Sequence, residues 1–141
     1  DDMGHQTCGT APNTYDCTDT PVVVSFMGTD AQNVTQLAVG AAHACALLDG
    51  GTVQCWGFNA AGQVGGTPGT DVGTPTEIAG LTGVTAIAAG FDNTCAIVDG
   101  GGVKCWGSNS EGQLGDGLEV GDHTACSNVR GEDIDCSPTP V

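Results

Sequence analysis

The apolar positions of the chain come in short runs, and each run ends at a turn. Residues 44–48 and 52–56 are two such runs, with Asp49-Gly50-Gly51 between them. Asp-Gly and Gly-Gly pairs tolerate the positive φ that a tight turn needs, so this stretch predicts a β-hairpin. A sustained 3.6-residue periodicity is found nowhere in the sequence, and helix is therefore not expected. The pattern as a whole predicts an all-β fold of short strands and tight turns.

The hairpin is part of a longer stretch that occurs twice. Residues 33–65 read NVTQLAVGAAHACALLDGGTVQCWGFNAAGQVG, and residues 83–115 read GVTAIAAGFDNTCAIVDGGGVKCWGSNSEGQLG. The two align without a gap at a constant offset of 50 residues, and about half of their positions are identical. Such self-similarity is the signature of an internal repeat, in which each copy forms one supersecondary unit.

The hairpin turns fix which cysteines face each other. Pairing the strands about the first turn sets Cys45 opposite Cys55, and pairing about the second sets Cys95 opposite Cys105. Directly opposed residues of antiparallel strands have Cα atoms ~4.5–5.5 Å apart, a distance that a disulfide can bridge. We therefore predict one cross-hairpin disulfide in each repeat. A shift of one residue in register would place each pair on opposite faces and forbid the bond.

The other four cysteines enclose two loops, Cys8 to Cys17 and Cys126 to Cys136. Each loop follows a G-x-x-T pattern and leads to a Pro-Val pair, which indicates two copies of one inserted loop, each closed by its own disulfide. Eight cysteines without a Cys-x-x-Cys motif argue against zinc and haem. Heavy disulfide use is typical of an oxidising compartment, so we expect an extracellular or cell-surface protein whose signal peptide is not in this chain.

The repeat resembles that of the RCC1 (regulator of chromosome condensation) superfamily, in the cysteine-paired form common in secreted bacterial proteins. The matching residues are Gly40-Ala41-Ala42-His43, Asp49-Gly50, Trp56-Gly57-Phe58-Asn59 and Gly62-Gln63-Val64-Gly65, then Gly90, Asp99-Gly100, Trp106-Gly107-Ser108-Asn109 and Gly112-Gln113-Leu114-Gly115. The resemblance implies β-propeller blades of about four antiparallel strands each. We expect about two such blades, as an open array or as part of a larger or oligomeric propeller.

Proline positions suggest where the repeats begin. Thr20-Pro21 and Thr74-Pro75 each open a repeat, because proline suits the first residue of a strand, where a missing N–H costs least. A strand is accordingly expected after each of them. The predicted division is a disulfide loop segment at 1–19, a first repeat at 20–73, a second repeat with the C-terminal loop at 74–136, and the start of a further repeat at 137–141.

The charge of the chain limits its partners. Seventeen acidic residues against Lys104 and Arg130 give a formal net charge of −15. Nucleic-acid affinity comes largely from Lys and Arg, and anionic membrane surfaces repel acidic proteins, so neither partner is expected. No run of ~18 apolar residues is present, and membrane insertion is not expected either. The acidic residues indicate a solvated surface, with divalent-cation binding as the alternative.

Candidate catalytic residues find little support. His43 lies close to Cys45, but its counterpart in the second repeat is Asn93, which cannot act as a general base, so a structural role is favoured. His5 and His123 flank the loop disulfides and are expected to be solvent-exposed. Residues 116–122 contain three carboxylates that could contact calcium, although EF-hand spacing is absent. We therefore predict no enzyme activity, no cofactor and no metal.

Two blades alone cannot bury all of their apolar faces, because each blade packs only against its neighbours. Trp56 and Trp106 are predicted to fill the space between blades, and Asn33 is a possible glycosylation site. The leading hypothesis is a structural protein that associates end to end with copies of itself or with adjacent repeats, as a surface or filament-forming assembly. The alternative is a protein-binding module, such as an adhesin, an enzyme inhibitor or an exchange-factor-like protein, which contacts its partner through the disulfide loops.

Overall fold

The computed structural model describes residues 6–18, 20–26, 33–119, 121–127 and 130–141. Every regular element in these ranges is a β-strand, which confirms the all-β prediction. The strands are β1 (Gln6–Thr10), β2 (Asn13–Cys17), β3 (Val34–Val39), β4 (His43–Leu48), β5 (Val53–Gly57), β6 (Val72–Glu77), β7 (Val84–Ala89), β8 (Asn93–Val98), β9 (Val103–Ser108), β10 (Thr124–Ser127) and β11 (Asp133–Ser137).

The strands form two main sheets, each built around one copy of the repeat. Sheet 1 has the order β3-β4-β5-β6, and sheet 2 has the order β7-β8-β9-β11-β10. Strands β1 and β2 make a separate two-stranded sheet. All pairings are antiparallel. Two antiparallel sheets of four and five strands agree with the predicted propeller blades.

The hairpin register is the same in both repeats. Cys45 lies opposite Cys55 across β4 and β5, and Cys95 lies opposite Cys105 across β8 and β9. The structure contains these two disulfides together with Cys8–Cys17 and Cys126–Cys136, so every cysteine of the chain is paired. Each repeat therefore carries its disulfide across the centre of its sheet.

Strand β6 joins the end of one sheet to the start of the next repeat. It pairs with β5 of sheet 1, where Thr76 lies opposite Cys55 and Glu77 lies opposite Gln54. The repeat predicted at 74–136 would therefore begin inside this strand. In sheet 2, Val141 exchanges two backbone hydrogen bonds with Cys105, of 3.0 and 3.2 Å, at the position that Thr76 takes in sheet 1.

The strand expected after Pro21 does not form, and this expectation is wrong for the described residues 20–26. Val22, Val23 and Val24 are 55%, 93% and 41% exposed. The corresponding segment that starts at Thr74 is a strand because it pairs with β5. Residues 20–26 lie on no such edge in the described part of the chain, and an extended segment without a pairing partner gains no ladder hydrogen bonds.

Candidate functional site

Sheets 1 and 2 pack face to face, and we call this contact the internal joint. Sheet 1 contributes Cys45, Leu47 and Val53, none of which is more than 4% exposed. Sheet 2 contributes Ile87 and Trp106, which are 4% and 0% exposed. All five belong to one apolar cluster. The internal joint thus contains a buried apolar core, and burial of such side chains is the main favourable term in packing the two sheets together.

A glutamine side chain bonds the two sheets at this joint. The Nε2 atom of Gln36 donates to the carbonyl oxygen of Ile87 at 2.6 Å, and the backbone N–H of Ile87 donates to Oε1 of Gln36 at 3.0 Å. The amide therefore pairs with both polar backbone groups of Ile87. A buried backbone group without a partner would be costly, so this pairing lets β7 pack tightly against sheet 1.

A second polar network lies between the two sheets, around Thr94. The Thr94 hydroxyl donates to the carbonyl oxygen of Gln63 at 3.2 Å, and Nε1 of Trp106 donates to the same oxygen at 3.0 Å. The His43 Nε2 atom lies 2.9 Å from the Thr94 hydroxyl oxygen and donates to it, since that hydroxyl proton is already engaged. The side-chain amide of Gln63 donates to Asp92 at 3.2 Å.

His43 is held neutral by its surroundings. The side chain is 3% exposed, its Nδ1 atom is buried without a hydrogen-bond partner, and burial lowers the pKa of the imidazole. The neighbouring Cys45 is bonded to Cys55 and offers no thiolate. The arrangement therefore suits an interface histidine and does not suit a Cys–His nucleophile.

The surface of sheet 2 that points away from sheet 1 is open, and we call it the tail face. On it, Ile97 and Val103 are 44% and 62% exposed, whereas their repeat counterparts Leu47 and Val53 are 4% and 0% exposed in the internal joint. A recess of about 150 Å³ opens on this face and has an almost wholly apolar lining. The lining includes Ala86, Ala88, Cys95, Ile97 and Val103.

A second recess on the same side of sheet 2 is polar. It has a volume of about 240 Å³ and includes Asn93 and Gln113 in its lining. These two residues are the repeat counterparts of His43 and Gln63, which bond to the second sheet in the internal joint. The tail face therefore carries both an apolar and a polar recess.

The surface of sheet 1 that points away from sheet 2 is also partly open, and we call it the head face. It is formed by Val34, Leu37, Val39 and Trp56. The first three are 39%, 60% and 72% exposed. Of their counterparts in sheet 2, Val84 is 5% exposed, Ile87 is 4% exposed and Ala89 is partly buried against the core.

The head face is open only along strand β3, because the same side of sheet 1 is closed towards β5. Buried residues on that side are Ala46, Leu48 and Gln54.

The two tryptophans predicted to lie between blades have different surroundings. Trp106 is fully buried in the internal joint, and Trp56 is half-buried on the head face. The ring of Trp56 contacts Phe26 edge to face, with centroids 5.8 Å apart. Asn33, the possible glycosylation site, is exposed, and its amide nitrogen lies 3.4 Å from a carboxylate oxygen of Asp49. Modification of Asn33 stays a prediction.

The C-terminal loop is held to sheet 2 by an acidic cluster. His123 Nε2 lies 2.7 Å from Asp116 and its Nδ1 lies 2.9 Å from Asp135. Hydrogen bonds to Asp135 and then to Asp116 raise the pKa of His123. Burial by itself raises the pKa of Asp135, but hydrogen bonds from Asn109, His123 and nearby backbone amides outweigh it and bring that pKa down to about 2.

The expectation that His123 is solvent-exposed is therefore wrong, because two carboxylates enclose its ring and leave the side chain 7% exposed. His5, which carried the same expectation, lies outside the described residues. Within the ranges that the structure covers, no group of three or more His, Cys, Asp or Glu side chains is arranged to hold a metal ion. The same residues include no helix long and apolar enough to cross a bilayer.

Several residues that contact both sheets were not predicted from the sequence. Gln36 and Asp92 form polar contacts between the sheets, yet their repeat counterparts are Ala86 and Ala42, so the repeat pattern gave no signal for them. Gln63 did offer a signal, because Gln113 occupies the same place in the second copy. A glutamine kept in both copies beside glycines indicates a structural hydrogen bond.

Comparisons with known proteins agree with this architecture. A model described as the regulator of chromosome condensation (RCC1) repeat matches residues 34–63 and 84–113, and a second model of the same description matches residues 50–97. Together the matches run from residue 34 to residue 113, which is more than half of the chain. No curated protein sequence matches the chain significantly.

Among solved structures, yeast RCC1 (Prp20) bound to Kap60 is 25% identical, with a TM-score of 0.58 over 77% of this chain and 25% of that chain. Prp20p from Saccharomyces cerevisiae is 24% identical, with a TM-score of 0.59 over 77% of this chain and 26% of that chain. Human WBSCR16 is 20% identical, with a TM-score of 0.54 over 92% of this chain and 40% of that chain. The chain thus spans well under half the length of these proteins.

The repeated hairpin, the glycine and tryptophan positions, the stacked antiparallel sheets and the matching family models all point the same way. The fold is that of RCC1-like β-propeller blades, and the chain belongs to the RCC1 repeat family.

Proposed function

We propose that this chain is a non-enzymatic, extracellular structural module whose repeats associate end to end with further copies, as a surface or filament-forming assembly. The observation that carries the proposal is the pair of open faces. Ile87 is 4% exposed in the internal joint, whereas its counterpart Leu37 is 60% exposed on the head face. Val53 is 0% exposed in the joint, whereas its counterpart Val103 is 62% exposed on the tail face.

The two faces are different from each other, and this determines the kind of assembly. A head-to-tail contact between unlike surfaces generates a closed ring when the rotation closes and an open filament when it does not. Exposed apolar patches of this kind are typical of protein–protein contacts, because covering them removes apolar surface from water. Both geometries fit a module that builds larger structures.

The extracellular location is supported by the four disulfides, because such bonds persist in oxidising compartments and are rare in the cytosol. Alkylation of protein recovered from its native source, carried out before any reduction, should label no thiol. Stoichiometric labelling of cysteines would contradict this location.

The assembly itself is tested by light scattering after size exclusion, over a wide range of protein concentration, together with negative-stain electron microscopy. We expect the mean mass to rise with concentration and the images to contain rings or filaments with a repeat set by one chain. A discrete monomer at every concentration would contradict the proposal.

The second candidate is a protein-binding module that contacts its partner through the disulfide loops. It is favoured by one comparison, since yeast RCC1 has been solved bound to another protein, Kap60. The first loop forms its own sheet (β1 and β2), so residues 1–18 can be deleted without cutting either main sheet. End-to-end assembly should survive this deletion, whereas capture of a partner through that loop should not.

A further inference from the structure

We infer that the tail face of one chain binds the head face of a second copy, whose Leu37 enters the apolar recess and whose Trp56 enters the polar recess. This inference rests on the proposed end-to-end association and adds to it the contacting residues and the direction of the contact. The occupant is a second copy because the internal joint already contains a buried version of each face.

The apolar half of the contact follows from the repeat offset. Leu37 corresponds to Ile87, which packs in the internal joint in one cluster with Leu47 and Val53. The counterparts of Leu47 and Val53 are Ile97 and Val103, and both line the apolar recess of the tail face. Leucine and isoleucine have equal numbers of side-chain carbons. Leu37 therefore suits the apolar recess of the tail face in the way that Ile87 suits the face of sheet 1 in the internal joint.

The polar half follows from the tryptophans. In the internal joint, Nε1 of Trp106 donates to the carbonyl oxygen of Gln63. Trp56 corresponds to Trp106, and Gln113, which corresponds to Gln63, lines the polar recess. The indole N–H of Trp56 therefore has a matching acceptor in the neighbouring copy. A buried indole N–H needs such a partner, which fixes the orientation of the contact.

The polar contacts that three side chains make in the internal joint are not reproduced between copies. Each depends on a side chain whose counterpart is alanine: Ala86 for Gln36, Ala44 for Thr94 and Ala42 for Asp92. The contact between copies therefore keeps the apolar packing and the indole hydrogen bond, and lacks the bonds that depend on the side chains of Gln36, Thr94 and Asp92. We expect it to be weaker than the internal joint and reversible with dilution.

The direction of the contact is tested with two blocked variants. Leu37→Asp places a charge on the head face, and Ile97→Asp places one on the tail face; both side chains are exposed, so folding of the single chain should be unaffected. Leu118→Asp is the control, because Leu118 is 54% exposed and lies outside both faces. Sedimentation velocity should find each blocked variant monomeric and the control assembling like the unmodified chain.

An equimolar mixture of the two blocked variants gives the decisive result. Leu37→Asp keeps its tail face and Ile97→Asp keeps its head face, so the mixture should form a 1:1 dimer and nothing larger. An unmodified chain that assembles while both blocked variants assemble equally well would overturn this inference and leave the proposed end-to-end function standing. An unmodified chain that never assembles would overturn both.

A gain of affinity provides an independent test. Ala86→Gln introduces on the tail face the side chain that Gln36 uses to pair with the backbone of Ile87, here directed at the backbone of Leu37 in the next copy. Two added hydrogen bonds should tighten the contact about tenfold. Thr82→Gln, at an exposed position outside the tail face, is the matched control and should change nothing. Equal affinities for Ala86→Gln and the unmodified chain would contradict the inferred geometry.

Discussion

His43 and His123 occupy opposite electrostatic environments, and acid acts on them in opposite directions. His43 is buried without a charged partner, which lowers its pKa, whereas His123 lies between two carboxylates, which raise its pKa. Stability depends on pH wherever a pKa differs between the folded and unfolded chain. The internal joint and the C-terminal loop therefore respond differently to the same change of pH.

The joint should weaken in acid because of His43. Its folded pKa lies below the unfolded value near 6.5, so its neutral form contributes fully above that value and the contribution is lost as the pH falls. In His43→Asn, which introduces the residue found at the counterpart Asn93, stability should fall less between about pH 7 and pH 5. Urea unfolding followed by tryptophan fluorescence measures this difference. Parallel pH profiles for the two proteins would count against a buried neutral His43.

The loop should behave in the opposite way because of His123. Its contribution is fully present below the unfolded pKa near 6.5 and is lost as the pH rises through the raised folded value, while Asp135 stays ionised. Asp116→Asn removes one carboxylate and should bring the pKa of His123 back towards 6.5 in an NMR titration. Asp122→Asn, an exposed neighbouring carboxylate, is the control. An unchanged His123 pKa in Asp116→Asn would contradict the ion pair.

Sequence could not reveal this cluster for a physical reason. Asp116 and Asp135 lie 7 and 12 residues from His123 along the chain. No periodicity relates the three positions, and only the path of the chain through β10 and β11 brings them together. His43 was easier to interpret, because its counterpart Asn93 can form a hydrogen bond and cannot act as a base.

The cross-hairpin disulfide is the element that sequence specified best. Asp-Gly turns fix the register, and the register sets the cysteines opposite each other. Strand β6 was harder to place. Thr74-Pro75 predicts the start of a strand, whereas β6 begins at Val72, and the motif does not indicate which sheet takes the strand. Pairing with β5 assigns β6 to sheet 1. Residues 20–26 contain the same Thr-Pro motif and stay irregular because they do not lie on the edge of a sheet in the described part of the chain.

The two hairpin disulfides should contribute unequally to stability. Both close loops with a sequence separation of 10, so each should contribute about 2–3 kcal/mol by restricting the unfolded chain. Cys45 and Cys55 are both 0% exposed, whereas Cys95 is only partly buried on the tail face. Replacing the first pair with alanine also opens a cavity, which adds about 1–2 kcal/mol.

Urea denaturation of the two double-alanine variants measures the difference. Variants with Cys45 and Cys55 replaced should unfold at a lower urea concentration than those with Cys95 and Cys105 replaced. Equal midpoints at low protein concentration would mean that the tail face is already covered in the single chain.

At the scale of the whole molecule, charge opposes association. A chain with a net charge of −15 repels its own copies, and the inferred contact between the head and tail faces rests on apolar packing and one indole hydrogen bond. The screening length falls from ~30 Å at 0.01 M salt to ~3 Å at 1 M. Assembly should therefore tighten as salt is added, opposite to the behaviour of nucleic-acid contacts.

Sedimentation velocity in a sodium chloride series measures this dependence, and the internal control is the 1:1 mixture of the two blocked variants. Dissociation on adding salt would indicate that charge pairing, rather than apolar packing, holds the copies together. Magnesium at matched ionic strength should have no effect beyond screening if the acidic residues do not bind divalent cations.

Strand β6 shows that the predicted sequence repeat and the folded sheet have different boundaries. The second repeat is predicted to begin at Thr74, yet the strand that contains Thr74 is hydrogen-bonded into the sheet before it. A segment inserted at this boundary by gene duplication would arrive with its first strand already committed to its predecessor. Successive duplications would therefore lengthen one continuous hydrogen-bonded body instead of adding independent domains, and removing a single copy would leave a neighbouring sheet without its outer strand.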